Sequence, residues 1–88
     1  MSDPASYRPK EIPELPGVYR FYNAKDKVIY VGKAKNLKNR LTTYFSANLA
    51  RKTHRMVHEA VRVDWTIVGT ELEALALEFS WIKQYQPT

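Results

Sequence analysis

Eighty-eight residues make one small domain, able to hide only about 60–65% of the surface its unfolded chain exposes. With no cysteine there are no disulfides or thiolate metal cages. No apolar run outlasts Val28-Ile29-Tyr30-Val31 or Ala74-Leu75-Ala76-Leu77, far short of a membrane span, and Met1-Ser2-Asp3-Pro4 has no charged and apolar leader pattern. The net charge of +5 is uneven: residues 20–62 hold eleven Lys and Arg against Asp26 and Glu59, whereas 63–88 hold Lys83 against Asp64, Glu71, Glu73 and Glu78. These features lead to the expectation of a cytoplasmic globular domain without membrane attachment.

Residues 1–14 are polar, carry Pro4, Pro9 and Pro13, and show no periodicity, which predicts a largely irregular arm before a domain spanning 15–88. Val18–Tyr22 and Val28–Val31 are β-branched and aromatic runs around the turn-like segment Asn23-Ala24-Lys25-Asp26, the pattern of a hairpin. A four-residue loop over 23–26 places Tyr19 opposite Tyr30, Val18 opposite Val31 and Gly17 opposite Gly32. Two opposed glycines would mark a close approach to the backbone. Asn36 N-caps a predicted helix over 37–45 with Leu37, Leu41 and Tyr44 on one face. A loop over 46–50 follows, then a helix over 51–60 with Met56, Val57 and Ala60 as its apolar stripe.

Residues 61–68 alternate as a third strand, ended by Gly69. Thr70 and Glu73 form a capping box opening a last helix to about Gln84, whose apolar face reads Leu72, Leu75, Phe79 and Ile82. The order β-β-α-α-β-α predicts an α+β fold, a small three-stranded antiparallel sheet flanked by helices.

Five features bear on chemistry. The basic block over 20–62, interleaved with Tyr22, Tyr30, Tyr44 and Phe45, has the make-up of a phosphate-backbone footprint and equally of a solvated basic surface. Glu78 falls about 60° from Leu75 on the helical wheel, at the margin of the stripe, as a rim glutamate reaching water or as a carboxylate awaiting a cation. Arg40 stands at the same angle from Leu37, as a snorkelling surface arginine or a phosphate contact. Tyr19 and Tyr30 share a strand face, as half-buried aromatics or as polar groups of a site. Ionising a tyrosine at neutral pH unaided costs about 4 kcal/mol, a cost that a neighbouring ammonium such as Lys33 or a metal ion would reduce. Lys33, Lys35 and Lys38 equally suit plain phosphate contacts.

His54 and His58 are spaced for one helical face of a metal site but lack a further ligand in the sequence. There is no nucleophile elbow, P-loop or glycine-rich dinucleotide turn. The shortage of carboxylates in the basic half limits any hard-cation site to one metal.

Gly17-Val18-Tyr19, Tyr30-Val31-Gly32, the run Val31-Gly32-Lys33-Ala34-Lys35-Asn36-Leu37-Lys38-Asn39-Arg40-Leu41 and Glu71-Leu72-Glu73-Ala74-Leu75-Ala76-Leu77-Glu78 together resemble the GIY-YIG nuclease superfamily and, within it, the UvrC branch of bacterial nucleotide excision repair. The resemblance covers roughly residues 12–87. It implies metal-dependent hydrolysis of a DNA phosphodiester, the incision 3′ of a lesion, with Glu78 holding one Mg²⁺ or Mn²⁺. It implies Arg40 on the phosphate and in the transition state, Tyr19 and Tyr30 around the attacking water, and Lys33 and Tyr44 beside them. Gly17 and Gly32 are implied as structural residues of the site, and Lys33, Lys35, Lys38 and Arg40 as DNA contacts. The implied partners are damaged duplex DNA and, through regions absent here, UvrB.

The family pattern continues with an asparagine shortly beyond a proline, whereas this sequence stops at Pro87-Thr88. The expectation is a domain excised from a larger chain, truncated at its C-terminal side and weakly active or inactive alone. Two rival readings remain at this point, a basic DNA-binding module without chemistry and a tyrosine strand transferase.

Overall fold

Hairpin formation brings together β1 (Gly17–Tyr22) and β2 (Val28–Ala34), antiparallel neighbours rich in β-branched and aromatic residues. The computed structural model describes residues 4–45 and 51–87. β3 (Arg62–Ile67) pairs antiparallel with the other side of β1, giving the strand order β2-β1-β3. The remaining elements are α1 (Pro4–Tyr7), α2 (Leu37–Tyr44), α3 (Arg51–Glu59) and α4 (Glu71–Tyr85). The α+β architecture therefore follows the expected order, with one added turn of helix at the start.

The hairpin register differs from the expected one. Tyr19 pairs with Gly32, Phe21 with Tyr30 and Gly17 with Ala34, so the two glycines are not opposed. The turn includes Lys27, whose carbonyl accepts the Asn23 N–H at 2.9 Å, while Asn23 Oδ1 accepts the N–H groups of Lys25 and Lys27. Asp26 takes a left-handed φ of 62° there, which an aspartate tolerates better than most side chains. Ile29 is then left over as a bulge between the Phe21–Tyr30 and Tyr22–Val28 pairs. Each change shifts the ladder by one residue. The second shift restores the face that the first would flip, so Tyr19 and Tyr30 still share a face.

Alternation along β1 divides the interior into two cores. Tyr19 and Phe21 enter the first, with Ile29, Ala34, Leu37, Leu41, Tyr44, Val57, Ala60 and Val63. Val18 and Tyr22 enter the second, with Val28, Val31, Val68, Ala74 and Trp81. The sheet is thus a middle layer, with α2 and α3 on one face and α4 on the other.

α2 forms as expected, because Asn36 Oδ1 accepts the Asn39 N–H at 3.0 Å and Leu37, Leu41 and Tyr44 recur on one buried face. The N-terminal arm is more ordered than its prolines imply. The N–H groups of Leu37 and Lys38 are first-turn donors without intrahelical partners, and they donate to the carbonyls of Leu15 and Pro13. Tyr7 packs edge-on against Phe21 and Phe45, and its hydroxyl donates to the Val57 carbonyl. The loop expected over 46–50 lies outside the described residues.

α4 is capped by Thr70, whose hydroxyl accepts the Glu73 N–H, while Glu73 accepts the Gly69 N–H. Its face is the larger correction. Leu72 is 76% exposed and Phe79 70%, and Leu75 and Ile82 are exposed too. The residues that meet the sheet are Ala74, Leu77, Trp81 and Tyr85, on an arc rotated by about 135° from the expected stripe. Small Ala74 lets the first turns approach the valines of the sheet, and Trp81 fills the wider gap beyond. Glu78 lies at the margin of this arc, about 20° beyond Tyr85 on the wheel, and is half-buried.

Candidate active site

The site begins with a side chain lying across a neighbouring strand. Tyr19 projects from β1 over Gly32 of β2, where a Cβ would stand 2.5 Å from Tyr19 Cζ and closer still to the hydroxyl. Only glycine lets the ring lie there. A Cβ on Gly17 would meet the Thr66 carbonyl oxygen at 2.5 Å and Leu37 Cδ1 at 2.6 Å, so that glycine lets β3 and α2 close on β1. Both glycines serve contacts within the protein.

Three tyrosines then converge. Tyr30 stacks on Tyr19 with centroids 6.2 Å apart, and Tyr44 from α2 stands edge-on to both at 5.7 and 6.1 Å. The Tyr19 and Tyr44 hydroxyls share a hydrogen bond of 2.7 Å. Tyr19 and Tyr44 are buried, and Tyr30 is the exposed member at 37%. Burial pushes the Tyr19 hydroxyl up to about 12; the charges of Tyr30 and Glu78 push the same way, against the Tyr44 hydrogen bond and the Arg40 charge. Tyr44 is raised further by burial and by hydrogen bonding with Tyr19 and Tyr30.

The charges that act on Tyr19 come from both faces of the sheet, Arg40 from α2 and Glu78 from α4. β2, which carries Tyr30 beside Tyr19, is an open edge strand of the sheet. Arg40 is a cation whose charge acts on that hydroxyl. Lys33 pairs with Val18 and so sits on the α4 face of β2. It lines an open groove of about 430 Å³ with Lys35, Asn36, Asn39, Arg40 and Glu71.

Among the described residues neither Glu78 nor Arg40 has an ion-pair partner, whereas Lys35 pairs with Glu71 at 3.2 Å. That pair is solvent-exposed on both sides, worth roughly 0–1 kcal/mol, and yields readily to a phosphate. Lys38 is exposed on α2 outside the groove. Sequence reasoning missed Asn36, Asn39 and Thr43 as groove residues, although with Arg40 they follow the helical i, i+3, i+4, i+7 spacing. The basic block is also less free than its count implies. Arg20 is bound to Asp64 at 2.8 Å, and Arg62 to Asp26 and Asp64.

His54 and His58 stack at 4.0 Å, and no group of three His, Cys, Asp or Glu side chains forms among the described residues. Within the described residues no helix is long and apolar enough to cross a membrane.

Residues 15–88 match the family model of the UvrC-like GIY-YIG domain. The chain belongs to the UvrC-like GIY-YIG domain family. It is 60% identical over 91 residues to UvrABC system protein C of Paenarthrobacter aurescens, covering 99% of this chain and 14% of that protein. The corresponding protein of Renibacterium salmoninarum is 62% identical with the same coverage. The chain therefore spans about one seventh of the length of the curated relatives it matches.

Solved structures of the GIY-YIG N-terminal endonuclease domain of UvrC from Thermotoga maritima share the fold. The magnesium-bound form gives a TM-score of 0.78 at 45% identity, covering 85% of this chain and 82% of that one. A tyrosine-to-phenylalanine point mutant bound to its catalytic divalent cation gives 0.79 at 44%, covering 85% and 81%. Both of those structures hold a catalytic divalent cation.

Proposed function

We propose that residues 15–88 are a divalent-metal-dependent endonuclease domain that hydrolyses a DNA phosphodiester. The observation that carries this reading is the cluster of Tyr19, Tyr30 and Tyr44, whose buried Tyr19 hydroxyl feels the charges of both Arg40 and a half-buried Glu78 that has no ion-pair partner among the described residues. The donor set fits one hard cation, since a half-buried carboxylate with no ion-pair partner among the described residues gains from binding one, with water and phosphate as the other oxygen ligands. Such an ion, when bound, supplies Lewis-acid stabilisation of charge on the phosphate and leaving oxygen.

The chain's own groups do the rest. Lys33 and the groove beside it hold phosphates, with strength falling steeply in salt. Arg40, without an ion-pair partner among the described residues, neutralises charge building on the pentavalent phosphorus. Tyr19 takes the proton of the attacking water, and exposed Tyr30 positions that water. The Tyr44 hydrogen bond and the Arg40 charge already favour the ionised form, yet burial leaves the Tyr19 hydroxyl at about 12, so it acts as a base only with additional positive charge at the site.

In the full-length protein this domain makes the 3′ incision of nucleotide excision repair in the cytoplasm, on damaged duplex, with UvrB engaged through regions outside this chain. The share of the relatives' length that it spans supports that division of labour.

The test is a titration of Mn²⁺ and Mg²⁺ into the protein with a nicked or lesion-bearing duplex, comparing wild type with Glu78→Ala. Metal-dependent scission lost in the variant is expected. Scission that survives Glu78→Ala would remove the metal role, and a covalent protein–DNA adduct after denaturation would favour strand transfer by a tyrosine instead.

A further inference from the structure

We propose that Arg20, which lies on the far side of the sheet from the tyrosines, is a positioning residue for Glu78. This rests on the metal-dependent reading above. The starting observation is how little of α4 is fixed to the sheet. Of its fifteen residues only Ala74 and Trp81 are buried, and Leu72, Leu75, Phe79 and Ile82 all face outward. Glu78 lies between the two anchors, three residues or about 4.5 Å of helix rise before Trp81. Whatever sets the position of Trp81 sets the carboxylate.

That position is set by a clamp. The Arg20 guanidinium lies 4.0 Å from the centre of the Trp81 ring. Its Nη1 donates to the Tyr85 hydroxyl at 2.8 Å, so it grips two successive turns of the helix. The fork itself is held rigid from β3, where Asp64 accepts from Nε at 2.8 Å and from Nη2 at 3.1 Å. Asp64 is steadied in turn by the Tyr22 hydroxyl at 3.0 Å and by Arg62.

A planar cation of fixed geometry, stacked on an indole and tied by two parallel hydrogen bonds, specifies both the distance and the rotation of what it touches. Arg20 also follows Tyr19 directly in the chain. One dipeptide of β1 therefore sends Tyr19 into the site on one face and fixes the helix carrying Glu78 on the other. The spacing between the proton acceptor and the metal-binding carboxylate is a property of this single stretch of strand.

The experiment compares Arg20→Met, Arg20→Lys and Tyr85→Phe with wild type and Glu78→Gln. Direct Mn²⁺ binding is followed by electron paramagnetic resonance, duplex binding is measured in EDTA, and kcat and KM are taken at saturating metal. Circular dichroism identifies the variants that fold. Arg20→Met is expected to weaken Mn²⁺ binding and lower kcat about tenfold each, with duplex affinity in EDTA and KM within twofold of wild type. Arg20→Lys should recover part of both, since it restores the charge but not the fork.

If Arg20→Met does not fold, Tyr85→Phe, which removes only a hydroxyl, carries the test with an expected two- to threefold loss of Mn²⁺ affinity. Wild-type Mn²⁺ binding that Glu78→Gln abolishes and that the folded Arg20 or Tyr85 variants leave unchanged would overturn the positioning role while sparing the proposed function. An absence of Mn²⁺ binding in the wild type would overturn both.

Discussion

Beneath α2 and α3 the sheet is covered by interlocked side chains, Tyr19, Phe21, Leu37, Leu41 and Tyr44, almost sealed from water. Beneath α4 the helix sets buried Ala74 and Trp81, flanked by half-buried Leu77 and Tyr85, on a bed of valines, and a charged clamp from Arg20 and Asp64 completes the docking. The first face is held by shape and apolar area, the second by direction. The site draws one charge from each, Arg40 from the tightly packed side and Glu78 from the clamped side. A rigid tyrosine cluster thus faces a carboxylate whose place is set by a few specific contacts.

The strongest way to break the comparison is to open the packed face. Leu41 is fully buried between α2 and the first core. Leu41→Ala should cost about 2–5 kcal/mol. For a domain of this size that lowers the melting temperature by about 4–8 °C for each kcal/mol, read by thermal melts. A loss near the value for an exposed leucine would mean that the face is not packed as described.

The next test separates the two charges. Arg40→Ala, on the packed side, should lower turnover roughly a hundredfold while duplex affinity moves only a few-fold, because its guanidinium acts on charge that develops in the transition state. Steady-state kinetics and a binding titration in EDTA distinguish this from a plain phosphate contact. A loss confined to affinity would contradict the transition-state assignment.

The two faces were also unequally legible from sequence. On the packed side, cap, period and buried residues of α2 agree with one another, so Asn36, Leu37, Leu41 and Tyr44 were read correctly from pattern alone. The pairing of Tyr19 and Tyr30 on one face was right for a reason the pattern does not contain: the extra turn residue and the Ile29 bulge cancel. Neither is visible in hydrophobicity.

On the clamped side the largest apolar residues of α4 were expected to face inward. The sheet instead selects an aromatic ring that accepts a guanidinium and an alanine that permits close approach. That choice is made by Arg20 and Asp64, residues far away in sequence, so no periodicity within the helix can reveal it. Glu78 borders both arcs, so the misreading of the stripe changes little about where it stands. Arg20 escaped notice because it counted as one more cation in a basic block.

A smaller effect should appear at high pH. Tyrosine in an unfolded chain ionises near pH 10. Burial raises Tyr19 in the folded protein to about 12 and Tyr44 higher still, and Tyr22 on the other face also reaches about 12 by burial and its contact with Asp64. A raised folded value favours the neutral hydroxyl, so this stabilisation is fully present below pH 10 and is lost as pH climbs through the folded values. Melting temperatures should hold level from pH 8 to 9.5 and fall above pH 10. Tyr44→Phe should flatten that fall more than Tyr22→Phe, because the more deeply shifted hydroxyl belongs to the packed face. The reverse order would place the alkaline weakness under α4.

The smallest expected effect concerns the residues that looked most like a core. Phe79 is 70% exposed on the outer side of α4, on the opposite side of the helix from Trp81. Phe79→Ser removes an aromatic ring from water rather than from an interior, so its apolar transfer contribution to folding is small. What remains is a modest helix-propensity change, and surface substitutions of this kind stay within about 0.5 kcal/mol. Urea unfolding of Phe79→Ser beside Trp81→Leu gives the direct comparison. Trp81→Leu should shift the midpoint clearly, because it empties the gap over the valines and strips Arg20 of its stacking partner. If the two variants lost similar stability, α4 would be docked through its outer stripe. The arc that leaves Glu78 half-buried would then be the wrong one.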